Sequence, residues 1–476
     1  MWTPLLVTAH YLLALLFVLR VLTRPRMEPS VRLAWVMVIE AVPVAGMLGY
    51  LMFGEVRIAQ AERQRSADIR ARLSGIWAPS PDAVEQPADW ARGIFDSVQA
   101  VGGMVPVAGN RVTLAAETND GIEPMLARID EAAHHVHVLF YIWLDDHSGN
   151  RIADALIRAA ARGVEVRAIV DAVGSRALVG SAMWRRMAEA GVSLVAAMPP
   201  GISPLRALSR RLDLRNHRKI VLIDNRTGFT GSRNAADMEF AVKPRFAPWV
   251  DVWFAIEGPA VRQMQGVFLS DWMSYTGKDL GDELLNTVPA VASPGVIAQV
   301  LATGPDRRAG SVSDCIMALL AAARDRVTIT TPYYVPTTGL DAAIQACARR
   351  GVQVTLILPE RNDSLFVGAT SEGFYHGLLR AGVRLMLFQP GLLHAKLASV
   401  DGRIAMLGSG NLDRRSFELN YEMNLIVAGS DVTAEIDDRQ DSYMARAREL
   451  SLAEVEAWPA WRRIRNNTLA LATPLL

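Results

Sequence analysis

Two stretches of the chain set a histidine, a lysine and an aspartate at one spacing. They are His217, Lys219 and Asp224 in NHRKIVLID, and His394, Lys396 and Asp401 in LLHAKLASVD. On a β-strand, side chains two apart share a face, so each imidazole stands beside an ammonium while the intervening apolar residues serve a core. The neighbouring cation disfavours protonation of the ring. A neutral imidazole is a nucleophile and an ammonium holds an anion. Together they suit attack on phosphorus.

Each stretch runs on into a second motif, GSRN at 231–234 and GSGN at 408–411, with the same seven-residue step from aspartate to glycine. Ser232, Asn234, Ser409 and Asn411 are expected to present hydroxyls and amides to the non-bridging oxygens of a phosphate. With Lys219 and Lys396 they would stabilise charge on a pentacoordinate transition state. A single HxKxxxxD match is weak, since a lone histidine is more often a packed or surface residue. Two matches with one downstream step in otherwise diverged copies are not coincidence. No metal-ligand cluster is visible, and neither a metal nor a cofactor is expected.

The elements that must position these residues repeat as well. AAARGVEVRAIVD (159–171) pairs with ACARRGVQVTLILPE (346–360), AEAGVSLVA (188–196) with LRAGVRLML (379–387), and VHVLFYIW (136–143) resembles VTITTPYYVP (327–336). Each reads as helix end, tight turn and buried strand, so the fold class is α/β: two duplicated domains, each a mixed sheet flanked by helices. Ala190 matches Ala381 at an offset of 191, but His217 matches His394 at 177, so the first copy carries 14 extra residues between these points. That insertion, MPPGISPLRALSRRLDLR at 198–215, mixes leucines with Arg206, Arg210, Arg211 and Arg215. It reads as a solvated loop or as a segment resting on anionic headgroups, with the second favoured.

The N-terminus is of another kind. Residues 1–19 carry no charged side chain, and 33–54 form a second apolar run interrupted only by Glu40 and Pro43. A helix of about 22 residues spans about 33 Å, close to a bilayer's hydrocarbon thickness. No basic residue precedes the first run, which argues against a cleaved signal peptide. A transmembrane hairpin is expected, with Glu40 either a functional carboxylate or a contact to the partner helix or headgroups. Arginines on the two sides are nearly balanced, so charge does not choose a face. The expected organisation is a hairpin at 1–56, a membrane-proximal helix and connector at 57–106, and the two duplicated domains at 107–285 and 286–476.

Composition narrows the class further. The 476 residues are 51% hydrophobic with a formal charge of +1, unlike a disordered chain or a generally basic nucleic-acid binder. No nucleic-acid partner is expected. Cys315 and Cys347 match no metal pattern and build no disulfide framework.

The paired HxKxxxxD and GSxN motifs resemble those of the phospholipase D superfamily. The N-terminal hairpin with YLMFG, the segment YIWLDDHSGNRIADALIRAAARGVEVRAIVDAVGS and the ending LDRRSFELNYEMNL are similar to the bacterial cardiolipin synthase branch over nearly the full length. The resemblance implies two motifs meeting across a pseudo-twofold axis in one active site, with His217 as nucleophile and His394 as acid and base. It implies a downstream carboxylate holding each histidine: Glu422 in NYEMN for the second copy and Asp251 in WVDVWF for the first, where Val250 replaces a more usual arginine. Asp224 and Asp401 travel with the catalytic motif, but their positions at strand ends suit local hydrogen bonds. Arg415 and Ser416 are placed to touch phosphate or to pair with Glu418 or Glu422. Tyr333 and Tyr334 are placed to line a lipid site or, the favoured reading, to pack.

The activity so implied is transfer of a phosphatidyl group from one phosphatidylglycerol to another at a bacterial inner membrane. The catalytic domains are expected on the cytoplasmic side, and homo-oligomerisation is left open. Alternatives are a hydrolytic phospholipase D, a synthase using phosphatidylethanolamine, a superfamily nuclease, and a catalytically silent membrane scaffold. Near-neutral charge argues against the nuclease and two intact motifs against the scaffold.

Overall fold

The computed structural model describes residues 2–25, 27–42, 44–77, 86–115, 122–199, 211, 213–281 and 294–471. Four glycines set its layers. Gly163, Gly191, Gly351 and Gly382 all take φ between 86° and 94°, the left-handed conformation that ends a helix without a Cβ penalty. Each is followed by a buried valine and hands the chain into a strand: Glu165–Asp171, Ser193–Ala197, Gln353–Pro359 and Arg384–Phe388. The first two lie parallel to His135–Phe140, the last two to Arg326–Thr330. Helices such as His147–Ala161 and Thr338–Arg349 cover them.

All these strands belong to one 16-stranded sheet. At its centre Val107–Leu114 and Val296–Thr303 pair antiparallel, and strand order repeats outward from them. On one side come Trp253–Glu257, Thr227–Gly231, Ile220–Ile223 and then the first parallel trio. On the other come Asn420–Ala428, Ile404–Gly408, Leu397–Val400 and the second trio. The two halves are thus α/β units of mixed sheet related by a pseudo-twofold. A shared core crosses their junction, joining Ile220, Phe254 and Phe268 of the first half to Val300, Leu393 and Leu425 of the second.

The N-terminal region differs from the expected hairpin. Its helices are Trp2–Thr23, Pro29–Ala41 and Ala45–Phe53, and among the described residues none is long and apolar enough to cross a membrane. The second apolar run breaks after Ala41. Helices of 13 and 9 residues reach only about 20 and 14 Å, against about 30 Å of hydrocarbon. Glu40 is exposed, while Val31, Trp35 and Ile39 make the helix contacts. The region is tied down by charge instead: Arg20, Arg24, Arg57 and Tyr50 converge on buried Glu55. Most of the basic insertion, including Arg206 and Arg210, lies outside the described residues, as does the terminal TPLL. Of its flanks, Arg211 is buried against Asp213, and Arg215 donates to the Leu214 carbonyl.

Candidate active site

Both motif histidines sit where a two-residue strand of one half pairs with the other half. Arg215–Asn216 runs parallel to Asn420–Tyr421, and the His217 N–H then donates to the Tyr421 carbonyl at 2.9 Å. Leu392–Leu393 runs parallel to Trp249–Val250, and the His394 N–H donates to the Val250 carbonyl at 2.8 Å. These two short pairings place each ring against the opposite half's carboxylate. Glu422 meets Nδ1 of His217 at 3.0 Å, and Asp251 meets Nδ1 of His394 at 2.6 Å. The orienting residues are those anticipated, but the pairing is crossed between halves.

The GSxN serines act on these carboxylates. Ser232 Oγ donates to Asp251 at 2.6 Å and Ser409 Oγ to Glu422 at 2.5 Å, while each hydroxyl accepts a backbone N–H, from Val252 and Met423 respectively. With donor and acceptor capacity engaged, neither serine is the phosphate ligand expected from the sequence. The preceding glycines make the approach possible: a Cβ on Gly231 would stand 2.3 Å from the Val252 carbonyl oxygen, and one on Gly408 2.4 Å from that of Met423. Ser416 Oγ at 2.9 Å and Asn420 Nδ2 at 3.1 Å complete the hold on Glu422. Arg415 pairs with Asp213.

The asparagines are placed differently from the serines. Asn234 Oδ1 accepts the Ile142 N–H at 3.2 Å, which leaves its amide nitrogen toward a small cavity shared with Trp249 and Asp251. Asn411 is buried, donates weakly to Asp413 at 3.4 Å, and its Oδ1 has no partner among the described residues. Tyr333 and Tyr334 anchor locally to Asp363 and Asp341.

Asp224 and Asp401 stand outside the site, a correction to their place in the catalytic motif. Asp224 accepts from the backbone N–H groups of Ala133, His134 and His135, all at 2.8 Å. Asp401 accepts from Arg324, Asp325 and Arg326 at 2.8–2.9 Å. Each occupies a left-handed turn, with φ of 53° and 54°, and caps the start of the adjacent strand. Among the described residues only backbone groups donate to them, so they fix strand ends.

Electrostatics bring the two motifs into one neighbourhood. Burial, then Lys219 and at longer range Lys396, depress His217 to about 4 against the pull of Glu422. His394 is lowered by burial, by Lys396 and, across the site, by Lys219. Burial and the neighbouring Lys396 bring Lys219 down to about 7, and burial brings Lys396 to about 8 against the pull of Asp251 and Glu422. Among the described residues each ammonium donates to one acceptor, the carbonyl of its own histidine, at 2.7 and 2.5 Å, leaving N–H groups for an anion. Burial opposes ionisation of Glu422, but His217, Lys219 and Ser409 hold it at about 2. Asp251 is likewise held well below the carboxylate range. Ionised carboxylates on both Nδ1 atoms keep the proton there and leave each Nε2 for chemistry.

Aromatic residues wall the site, a role no motif announced. Tyr141 meets His217 edge-on at 4.9 Å, and Trp249, stacked on Phe240, lies 4.7 Å from His394. Among the described residues no cluster of three or more His, Cys, Asp or Glu side chains could hold a metal ion.

The family model "Cardiolipin synthase, PLD-like domain" covers residues 125–272 and 316–444, so each matched segment contains one His-Lys motif and the carboxylate that holds the other segment's histidine. The chain belongs to the cardiolipin synthase branch of the phospholipase D superfamily. It is a phosphatidyltransferase of that branch. A second model, "Phospholipase_D-nuclease N-terminal", matches residues 11–55. Cardiolipin synthase A of Edwardsiella ictaluri is 34% identical over 99% of this chain and 98% of its own. That of Klebsiella pneumoniae is 34% identical with the same coverage. Among solved structures, phosphatidylserine synthase of Haemophilus influenzae shares the fold at a TM-score of 0.56 and 15% identity, covering 77% of this chain and 95% of that one.

Proposed function

We propose that the enzyme joins two phosphatidylglycerol molecules into cardiolipin and releases glycerol, through a phosphohistidine on His217. Nε2 of His217 attacks phosphorus, and the bond to the glycerol oxygen breaks as His394 delivers a proton to it. The free hydroxyl of a second phosphatidylglycerol then attacks the adduct. His394 takes up that hydroxyl's proton and His217 is released. One phosphodiester replaces another, so no external energy source is needed.

The observation that carries this reading is the crossed pair of carboxylate-held imidazoles with Lys219 and Lys396 between them. His217, depressed to about 4, is neutral at neutral pH, as a nucleophile must be. A phosphodiester anion beside the two ammonium groups adds negative charge that raises His394, so that the ring takes up from solvent the proton it must donate. Burial of both rings, with Trp249 and Tyr141 at their sides, favours a lipid alcohol over water as acceptor.

Residence at a bacterial inner membrane, with the catalytic halves on the cytoplasmic side, is part of the proposal. The helix Trp2–Thr23 supports it by exposing Leu5, Leu12, Leu13, Leu15, Leu16 and Leu19, an apolar surface suited to lipid. The test is incubation of purified protein with phosphatidylglycerol vesicles while cardiolipin, glycerol and phosphatidic acid are followed together. Cardiolipin and glycerol in equal amounts are expected; phosphatidic acid as the main product would make the enzyme a hydrolase. Headgroup-labelled phosphatidylethanolamine checks the donor, and no release of its label is expected.

A further inference from the structure

Behind the strand pair that carries His217 and Glu422 lies a cavity of about 500 Å³, roofed by the helix Gln60–Trp77 and floored by the helix Ala260–Thr276. It is not the catalytic pocket. His217 and Arg218 are adjacent in an extended segment, so their side chains take opposite faces, and it is Arg218 that borders the cavity.

The lining is unusual in what is left unpaired. Arg65 and Arg307 both line the cavity, and neither guanidinium has a hydrogen bond or ion pair to a described residue. The Asp306 side chain is 5% exposed; its Oδ2 accepts from Arg70 at 2.7 Å, while its Oδ1 is buried without a partner among the described residues. An orphaned acceptor at that depth calls for a donor from a ligand. Burial and the proximity of Arg218 lower Arg307 to about 10, against the pull of Asp306 and Asp271.

We propose that this cavity is a second headgroup site, taking the hydroxylated phosphodiester of an anionic lipid: phosphate on Arg65 and Arg307, a free hydroxyl on Asp306 Oδ1. Of the lining's charged groups, the polyol phosphate would engage the two guanidinium groups and the one carboxylate oxygen that lack partners among the described residues. Its roof is the first helix after the apolar N-terminal region, so a bilayer headgroup has a short path in. Its inner wall is mechanically joined to the catalytic pair. Arg218 donates to the Glu422 carbonyl at 3.2 Å, and Tyr421, also a lining residue, receives the His217 N–H. Occupancy therefore bears on the strand that holds the nucleophile in line, and the site serves as a sensor of anionic lipid.

The test uses thiol protection. Ser274 lines the cavity, and the native Cys315 and Cys347 are both buried, so Ser274→Cys provides one accessible thiol. Its modification by a soluble maleimide is measured in the full-length chain carrying His217→Ala, which separates this site from turnover and from the catalytic proposal. Phosphatidylglycerol vesicles are expected to slow labelling, and phosphatidylcholine vesicles are not. Adding Arg307→Gln or, on the exposed helix, Arg65→Gln should weaken protection about tenfold, the worth of one charge-assisted hydrogen bond. Protection by free glycerol phosphate as well would show that the headgroup alone suffices. Protection by glycerol phosphate without vesicle protection would overturn the lipid assignment. No slowing, equal slowing by phosphatidylcholine, or protection indifferent to both arginine substitutions would overturn the site.

Discussion

Glu422 closes on the His217 ring at 3.0 Å from 205 positions further along the chain, across the junction between the two halves. Asp251 does the same for His394 from 143 positions before it. Neither half therefore owns a working histidine. Replacing Glu422 with glutamine should leave the fold intact but free the Nδ1 proton, so that the wrong nitrogen faces phosphorus. A fall in kcat of about 10²- to 10⁴-fold is expected, as for other orienting carboxylates. Near-normal kcat in a variant with an unchanged melting curve would refute the orienting role.

The division of labour between the histidines is separable with a phosphatidyl ester of an acidic phenol, whose departure needs no general acid. His394→Ala should still form the covalent phosphohistidine on such a substrate and accumulate it. His217→Ala should form none. Mass spectrometry of the intact protein reads both, and an adduct on His394 would exchange the assigned roles.

Asp224 and Asp401 should prove structural. Asp224→Ala removes an acceptor from three backbone N–H groups and places alanine at positive φ, costing about 3 kcal/mol. Asp401→Ala should cost less, because Asp401 and its donors are partly exposed. Denaturant unfolding gives the loss, and kcat per folded molecule should stay near the wild-type value. A collapse of kcat without loss of stability would return both residues to the catalytic set.

Activity should fall on the alkaline side earlier than a lysine ordinarily permits. Lys219 and Lys396 have folded-state values lowered to about 7 and about 8, so the ammonium forms that grip phosphate are lost as pH rises through that range. His217, depressed to about 4, is already neutral there and contributes only to an acid limb. The kcat/KM profile, which reports the free enzyme, should therefore decline between about pH 7 and 8. Lys219→Arg, whose guanidinium keeps its charge, should remove part of that decline while lowering the maximum.

Much of this was legible in the residues. The helix-glycine-strand repeats encode two α/β units because a left-handed glycine and a following apolar run are local signals. Those signals depend only on neighbours in the chain. The HxK residues, expected on a strand, instead fall between strands at 217–219 and 394–396, so strand alternation does not account for their placement. The crossed carboxylates and the engagement of Ser232 and Ser409 by those carboxylates were decided by tertiary structure. Two-residue strands such as Arg215–Asn216 have no periodicity to read, yet their pairing with Asn420–Tyr421 determines which carboxylate meets which ring. A hydroxyl's partner is likewise set by whatever backbone the fold brings within 3 Å, and at Gly231 and Gly408 only the packed strands reveal why a side chain had to be absent.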